Sequence, residues 1–292
     1  MLSILIPCYN NDVYPLAEEI QKQSTLCNIA FEIIIIDDCS SNLLYNVDKI
    51  NNLPHTQIIR NKENQGRSPT RNLLAQKAKF ENLLFVDAGT FPKSKNFILN
   101  YVSHLSKPVI IGGMAQEAIP PKKPYKFRWL YTKKREACCN DSEVIREIYT
   151  SANFLIKKHI FTSFPFEESI KTYGFEDYVF FKKLNMNGIN FKYINNPVVH
   201  DSKEHAKTFL KKTEEGLKNL VELKKDNSVL IADVKIVKWQ SRISNLGLNS
   251  LVAALYRLVK PVLEKNFCSD NPSIFLFDFY KLGCLSSIIS KK

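Results

Sequence analysis

Two adjacent carboxylates, Glu176 and Asp177, are the residues of this chain best suited to acid–base chemistry. They begin a run in which the apolar residues Phe180, Phe181 and Leu184 recur at helical spacing. This pattern predicts a helix whose first turn holds both carboxylates, where free backbone N–H groups and the helix dipole stabilise negative charge. A carboxylate kept ionised at the end of a rigid element can act as a general base. For an isolated Glu-Asp pair, the alternative is simple helix capping.

Three further polar clusters follow short apolar runs that predict buried strands. In chain order, these clusters are Cys8–Asn11, Asp37–Asn42 and Asp87–Thr90. In open α/β sheets, ligands bind beyond the carboxyl ends of the strands. The clusters therefore predict a nucleotide-type site along one edge of a sheet.

Strands and helices alternate in the elements that must position these clusters. The predicted strands are Leu2–Ile6, Phe31–Ile36, Thr56–Arg60, Leu83–Val86 and Val109–Ile111, and the predicted helices between them are Val13–Gln23 and Ser68–Lys79. This alternation predicts an α/β layered domain with a mainly parallel sheet. From Pro120 to Asn140 the chain is basic and irregular, which predicts a loop or an excursion from the domain.

After His200 the sequence changes to charged and amphipathic segments with helical patterns. These segments are Lys203–Lys225, Leu246–Leu263 and Ile274–Ile289. We therefore predict an α/β domain over residues 1–205 and a C-terminal helical extension over residues 206–292. Basic amphipathic helices bind anionic lipid headgroups, so the extension is expected to contact either a membrane surface or a second subunit.

The charge balance indicates a polyanionic partner. The chain has 41 Lys and Arg residues against 29 Asp and Glu residues, a net charge of +12. Nucleic acid, anionic lipid and a phosphate-bearing substrate all fit such an excess. No nucleic-acid-binding module is recognisable and the basic residues are dispersed, which argues against a nucleic-acid partner.

Cysteine content and the N-terminus indicate a cytoplasmic location. The cysteines number seven, an odd count with no C-x-x-C pair, which predicts free thiols in a reducing compartment. The first residues lack a basic region and are interrupted at Pro7, unlike a signal peptide. No run approaches the roughly 18 apolar residues that span a bilayer. We expect a cytoplasmic protein with peripheral contact at the cytoplasmic face of the inner membrane.

Motifs in a fixed order give the first 205 residues a recognisable identity. They are Ser3–Asn10, Ile35–Ser40, Asn64–Gly66 with Thr70–Asn72, Leu84–Gly89, Ser151–Asn153, Gly174–Asp177 and Asn196–His200. In this order and spacing, they resemble the motifs of family 2 glycosyltransferases of the GT-A fold. The tail, including Phe277–Tyr280, is similar to tails of bacterial enzymes that build cell-surface glycans.

This resemblance implies a Rossmann-like layered fold with a mostly parallel central sheet. It also implies an inverting transfer of a sugar from a nucleotide-diphosphate sugar, with UDP as the expected nucleotide, to a glycan or lipid-linked acceptor in polysaccharide biosynthesis. Asp177 is then the expected catalytic base, and Glu176 and Asn153 the expected acceptor-binding residues. The expected nucleotide-sugar-binding residues are Pro7, Tyr9, Asp38, Gly66, Arg71 and Asp87.

The metal requirement is the point at which this chain departs from the family pattern. The family's D-x-D motif holds Mn²⁺ or Mg²⁺, and here it reads Asp87-Ala88-Gly89. Asp87 and His200 remain the candidate metal ligands. The loss of an acid at residue 89 leaves open a non-catalytic relative that only binds nucleotide-sugar or glycan. A nucleotidyltransferase is less well supported, because no Gly-rich phosphate loop follows the first strand.

Overall fold

The fold is taken from a computed structural model that describes residues 1–138, 145–170, 173–200, 203–226 and 228–290. The chain forms two compact units. The first comprises Met1–Glu117, Arg135–Lys171 and Phe180–Asp201, and the second comprises Ala118–Lys134, Thr172–Val179 and Ser202–Lys292. The second unit thus combines the C-terminal helices with two insertions from earlier in the chain, and the predicted division at residue 205 stays a prediction.

In the part of the chain that the structure describes, ten strands form two sheets, both in the first unit. The strands are β1 (Leu2–Cys8), β2 (Phe31–Asp37), β3 (Thr56–Arg60), β4 (Asn82–Val86), β5 (Thr90–Pro92), β6 (Val109–Ile111), β7 (Met114–Ala115), β8 (Asn153–Lys157), β9 (Phe191–Tyr193) and β10 (Val198–His200). The large sheet has the order β3-β2-β1-β4-β8-β6-β9. Its strands pair in parallel except that β8 runs antiparallel to both of its neighbours.

Twelve α-helices accompany the sheets within the described residues. They are α1 (Tyr14–Leu26), α2 (Val47–Asn51), α3 (Arg67–Lys77), α4 (Phe97–Val102), α5 (Lys126–Tyr131), α6 (Lys158–Ser163), α7 (Glu176–Met186), α8 (Ala206–Asp226), α9 (Ser228–Ile231), α10 (Lys235–Asn245), α11 (Asn249–Phe267) and α12 (Ile274–Ile289). The predicted strands and helices of the first half are confirmed, with ends that differ by at most three residues.

The core of the first unit lies on both faces of the large sheet, as the sequence of β2 requires. Ile33 and Ile35 belong to the apolar cluster on one face, whereas Ile34 and Ile36 belong to the cluster on the other. All four side chains are fully buried. A strand covered by helices on both faces needs an unbroken apolar run instead of an alternating one, and Ile33–Ile36 meets that requirement.

A second, three-stranded sheet of order β5-β10-β7 was not predicted. Its strands are only two or three residues long, too short to show periodicity in the sequence. The pairing of β10 with β5 places His200 opposite Thr90. This small sheet therefore brings the late His200 to the segment that follows Asp87.

The segment between Pro120 and Asn140, predicted as a loop or excursion, contains helical structure, and its residues up to Lys134 belong to the second unit. Cys139 and Asn140 lie outside the described residues. The basic segment folds into α5 and a following π-helical turn, Thr132–Glu136. Phe127 is fully buried and stacks on Phe267, with ring centroids 4.7 Å apart, and meets Phe277 edge to face at 5.0 Å. The helix forms because its aromatic residues join the core of the C-terminal helices, and those partners lie more than 130 residues later in the sequence.

Two further expectations concern the thiols and the membrane. The six described cysteines are free thiols, and the seventh, Cys139, lies outside the described residues. Within the described ranges, no single helix has the length and hydropathy of a membrane span, although α10 and α11, which meet at 118°, satisfy both criteria together.

Candidate active site

The order of strands reverses beside β1, and the polar clusters collect at this point. The chain adds β2 and β3 on one side of β1 and then returns to place β4 on its other side. Such a reversal leaves a crevice beyond the carboxyl ends of the two central strands, which is where open α/β sheets bind ligands. The segments after β1 and β4 meet there, since a Cβ on Gly89 would lie 3.7 Å from Oδ1 of Asn11.

The segment after β1 is held by hydrogen bonds to the segment after β2. The backbone N–H of Asn10 donates to Oγ of Ser40 at 2.8 Å, and Oδ1 of Asn10 accepts from the N–H of Ser41 at 3.0 Å. Pro7 is half-buried in β1, whereas the Tyr9 side chain is 47% exposed. The Tyr9 ring is thus accessible for stacking, and its contact with a base stays a prediction.

Asp38 organises the connection between β3 and α3. Its buried carboxylate accepts hydrogen bonds from Nδ2 of Asn61 at 2.8 Å, the N–H of Gln65 at 2.9 Å and the N–H of Gly66 at 2.8 Å. Gly66 immediately precedes α3. Its φ of 92° is a backbone conformation that L side chains rarely adopt. A carboxylate has about four acceptor sites, so one remains for a ligand. The predicted contacts of Asp38 and Gly66 with a nucleotide stay predictions.

Asp37 is fully buried. It was predicted only as part of a turn. It accepts hydrogen bonds from the Ser40 hydroxyl and lies 3.4 Å from Nε of Arg60. Burial, together with the nearby Asp37 charge, raises the pKa of the Cys8 thiol to about 12. Cys8 is therefore protonated at neutral pH and is unsuited to act as a nucleophile.

Arg71 and Asp87 form an ion pair at the end of β4. Nη2 of Arg71 donates to Oδ1 of Asp87 at 2.8 Å, and the guanidinium lies 5.2 Å from the centroid of the Phe166 ring. The Arg71 side chain is 1% exposed and that of Asp87 is 24% exposed. Asp87 therefore neutralises a buried cation while keeping part of its carboxylate accessible, and the predicted donor contacts of both residues remain predictions.

The groups at this position fit a metal ion poorly. In the described parts of the chain, no group of three or more His, Cys, Asp or Glu side chains could hold one. Gly89 supplies no ligand, and the Asp87 carboxylate is bonded to Arg71. His200, the other predicted ligand, lies opposite Thr90 at the end of β10. Metal binding by Asp87 and His200 stays a prediction.

We expect Gly89→Asp to create a divalent-cation site. The new side chain has room, because its Cβ would make only an ordinary contact with Asn11. A second carboxylate two residues after Asp87 supplies the hard oxygen that Mn²⁺ and Mg²⁺ prefer. Isothermal titration with MnCl₂ should show binding by Gly89→Asp that is at least about tenfold tighter than by Gly89→Asn, which adds a similar volume without the charge. Equal affinities would contradict this expectation.

Asn153 lies inside the first unit, where both the nitrogen and the oxygen of its side-chain amide are hydrogen-bonded. The side chain is 0% exposed, and Nδ2 donates to the carbonyl oxygens of Asn196 at 2.7 Å and Gly113 at 3.1 Å. Its Oδ1 accepts from the hydroxyl of Tyr101. These contacts tie β8 to β6 and to the segment before β10. They are the contacts of a structural residue, and the predicted contact of Asn153 with an acceptor stays a prediction.

Substituting Gly112 should destabilise the first unit. A Cβ on Gly112 would lie 2.5 Å from Nδ2 of Asn153 and 2.7 Å from the backbone oxygen of Asn196, so the Asn153 contacts must shift. Overpacking of this kind costs about 1–3 kcal/mol. Chemical denaturation should show about 2 kcal/mol lower stability for Gly112→Ala. The matched variant Gly89→Ala, which meets nothing closer than 3.7 Å, should differ from the parent by at most about 0.5 kcal/mol. Equal stabilities of the two variants would refute this expectation.

Glu176 and Asp177 occupy the first turn of α7, as predicted, and belong to the second unit. The turn before them is tight, since Gly174 has φ of 111° and Phe175 has φ of 71°. Oε2 of the buried Glu176 accepts from the N–H of Gly174 at 2.8 Å, so this carboxylate closes the turn. A positive φ at a bulky residue is costly, and such strain is concentrated at functional sites.

Helix α8 holds this turn in place, through residues that the sequence analysis did not single out. A Cβ on Gly174 would lie 2.8 Å from Cα of Gly216, so the two backbones touch. Nδ2 of Asn219 donates to the carbonyl oxygens of Gly174 at 3.2 Å and Tyr173 at 3.3 Å. The position of Asp177 is therefore fixed from the C-terminal helices. The glycine in the middle of α8 was the available signal, because glycine inside a helix lowers stability unless close packing requires it.

The strand order, the crevice beside β1 and the small second sheet define a protein of the GT-A fold. The sequence profile described as Glycosyl transferase family 2 matches residues 3–164, more than half of the chain. The chain belongs to this family. An uncharacterized glycosyltransferase of Haemophilus influenzae is 42% identical over 88 residues. That alignment covers 30% of this chain and 29% of the relative, so less than a third of the relative's length is matched.

Two solved structures align with nearly the whole of this chain. Residues 1–349 of S. aureus TarS, solved in complex with UDP-GlcNAc, align over 99% of this chain and 91% of that one, with a TM-score of 0.52 and 17% identity. The mannosyltransferase PcManGT from Pyrobaculum calidifontis, in complex with GDP-Man and Mn²⁺, aligns over 99% and 86%, with a TM-score of 0.56 and 13% identity. At these identities the likeness establishes the fold.

Proposed function

We propose that this protein transfers a sugar from a nucleotide-diphosphate sugar to a hydroxyl group of a glycan or lipid-linked acceptor, with inversion at the anomeric carbon. UDP is the nucleotide that we expect, and polysaccharide biosynthesis is the expected context. The donor would bind in the crevice beside β1, and the acceptor would be deprotonated by Asp177. Mn²⁺ or Mg²⁺ would be dispensable.

The observation that carries this proposal is the meeting of the segments after β1 and β4 at the strand-order reversal. Asn11 and Gly89 approach each other there, and the Arg71–Asp87 pair lies at the end of β4. Accessible Tyr9 offers an aromatic face for a base, and the partly exposed Asp87 offers an acceptor for ribose or sugar hydroxyls. These groups suit the aromatic base and the hydroxyl-bearing ribose and sugar of a nucleotide-diphosphate sugar.

The transfer needs a base for the acceptor proton and a leaving group opposite the attacking oxygen. The acceptor oxygen forms a bond to the anomeric carbon while the bond from that carbon to the diphosphate oxygen breaks. The electron pair of the broken bond leaves with the nucleoside diphosphate, and the acceptor proton moves to the Asp177 carboxylate. Asp177 lies in the first turn of α7.

A second candidate function is binding of nucleotide-sugar without turnover. Gly89 in place of an acid, together with the bond between Arg71 and Asp87, favours it, because the leaving diphosphate then lacks the usual charge compensation. Glu176 closing the turn before Asp177 favours the enzyme, because this arrangement fixes a carboxylate at a strained turn.

A thermal-shift and turnover experiment separates the two functions. The purified full chain is melted with UDP-GlcNAc, UDP-glucose, UDP-galactose and GDP-mannose, each with and without MnCl₂. A bound donor at a hundred times its Kd stabilises the protein by about 2.7 kcal/mol. We expect at least one UDP-sugar to raise Tm without metal, and the same sugar to be hydrolysed or transferred with release of nucleoside diphosphate.

Each outcome has a distinct meaning. Stabilisation together with nucleoside diphosphate release supports the transferase. Stabilisation without release, tested across simple saccharide and lipid-phosphate acceptors, supports the binding protein. If GDP-mannose alone stabilises the chain, the expected nucleotide is wrong. If no nucleotide-sugar raises Tm, the proposed donor site is refuted.

A further inference from the structure

Helix α11 exposes a continuous apolar stripe to solvent. Leu251, Leu255, Leu258 and Val262 follow one another at intervals of 4, 3 and 4 residues, which places them on one side of the helix. Each is between 46% and 78% exposed. A contiguous apolar stripe is unlike the single exposed apolar residues that are normal on protein surfaces, and it marks an interaction site.

The other side of α11 is fixed in the core of the second unit. Tyr256 packs edge to face on Tyr280 of α12, with ring centroids 5.3 Å apart, and a Cβ on Gly283 would lie 2.6 Å from Cβ of Tyr256. Nζ of Lys260 lies 2.8 Å from Oε1 of Glu214 of α8. The stripe therefore cannot turn inward without breaking these contacts, and it lies on the surface of the folded unit.

Helix α10 extends the same kind of surface. Trp239 is 57% exposed, and Leu246, just after the helix, is 71% exposed. The guanidinium of Arg242 lies 5.0 Å from the Trp239 ring. Tryptophan beside arginine is the pairing found where a helix rests between headgroups and acyl chains. The chain bends by 118° between the two helices. Two helices joined by such a bend can both lie along a surface.

Basic residues predominate along these two helices. Between Lys235 and Leu263 the sequence contains five basic residues and no acidic residue. The exposed Lys235 and Arg242 lie four residues before and three residues after Trp239, on the same side of α10. The exposed Lys238 is paired with Asp233 at 3.3 Å, just before α10. Exposed apolar residues on α10 are thus accompanied by basic side chains, and the stripe on α11 is apolar.

We infer that the exposed face of α10 and α11 binds the surface of a bilayer that contains anionic lipids. Leucine, valine and tryptophan would enter the boundary between headgroups and acyl chains, while the basic residues bind headgroup phosphates. A second copy of this chain fits less well, because pairing the same face would bring together the basic side chains of the two α10 helices. The inference does not rest on the proposed function, since lipid binding is measurable without donor or acceptor.

The test is co-sedimentation of the full chain with vesicles. Vesicles of phosphatidylcholine alone are compared with vesicles of phosphatidylcholine and phosphatidylglycerol. We expect binding to the anionic vesicles, weakened by salt. The variant Leu251→Gln, Leu255→Gln, Leu258→Gln should bind at least about tenfold more weakly. Neutralising Lys235 and Arg242 with glutamine should weaken binding about 25-fold, from about fivefold per basic residue.

A matched variant controls for exposed apolar residues in general. Leu26, Leu99 and Ile119 are between 50% and 80% exposed and lie outside α10 and α11, so their joint change to glutamine should leave vesicle binding unchanged. Circular dichroism confirms that each variant is folded. Equal binding by the stripe variant and the parent overturns the inference, as does equal binding to neutral and anionic vesicles. A parent that is dimeric in light scattering, with a monomeric stripe variant, would show that the face binds a second copy instead.

Discussion

Asp177→Asn should lower the rate of sugar transfer by about 10²–10⁴-fold, the range that general-base catalysis contributes. Asparagine keeps the size and the hydrogen-bonding oxygen of the side chain but cannot accept the acceptor proton. The donor residues lie in the first unit and are unaltered, so the donor should raise Tm of the variant as much as that of the parent. Steady-state kinetics should therefore show a fall in kcat with little change in donor KM.

The control for this variant is Asp270→Asn, in the same unit. Asp270 is 63% exposed and pairs with Lys123 at the surface, an interaction of small energetic value. It should retain parental turnover. If Asp177→Asn keeps more than about a tenth of the parental rate, Asp177 is not the base. If the variant loses donor-induced stabilisation as well, its defect is in folding or donor binding and the assignment also fails.

Asp87→Asn should destabilise the protein by about 3 kcal/mol. The Arg71 side chain is 1% exposed, and its Nη2 donates to Oδ1 of Asp87 at 2.8 Å. Breaking a buried ion pair by removing one partner costs about 3–5 kcal/mol, because the remaining charge has lost a counter-charge away from water. The lower end applies because Asp87 is 24% exposed and water can partly replace it. Chemical denaturation and thermal melting of the variant measure the loss.

A double-mutant cycle shows whether the buried charge is the cause. Adding Arg71→Met removes the cation and should recover part of the stability lost in Asp87→Asn, since replacing both partners of a buried pair is often close to neutral. Asp48→Asn, at an exposed position of α2, is the control and should change stability by at most about 0.5 kcal/mol. A loss no larger than that control in Asp87→Asn would refute the buried-charge explanation.

The elements of the first half were predictable because each has its own local signal. The run Phe31–Ile36 could only be a strand buried on both faces, and Thr56–Arg60 and Val109–Ile111 were predicted with the bounds that the structure shows. The local sequence of Pro120–Asn140, in contrast, did not predict a helix. Its basic residues and prolines hid the fact that Phe127 packs on Phe267 and Phe277, a contact that no local pattern contains.

The candidate site likewise has residues that the sequence predicted and contacts that it did not. The carboxylates after strands and at the start of α7 were identified from their neighbours in sequence. Their partners were not, because Arg71 to Asp87, Asp38 to Gly66 and Glu176 to Gly174 are bonds whose geometry depends on loop conformation. The role of Gly216 and Asn219 in holding the turn before Asp177 depends on the docking of α8, more than 40 residues further along the chain.

By itself, the sequence determined the family, the α/β layers, the edge of the sheet where the polar clusters lie, and the helix that begins at Glu176-Asp177. Hydrophobic periodicity and residue types at strand ends are local properties, so the sequence alone shows them. The tertiary structure alone decided that Asp87 neutralises a buried arginine, that Asn153 is enclosed in the core, and that α11 turns its leucines outward. Burial and ion pairing arise between residues far apart in the chain, and only the packed fold fixes which of them meet.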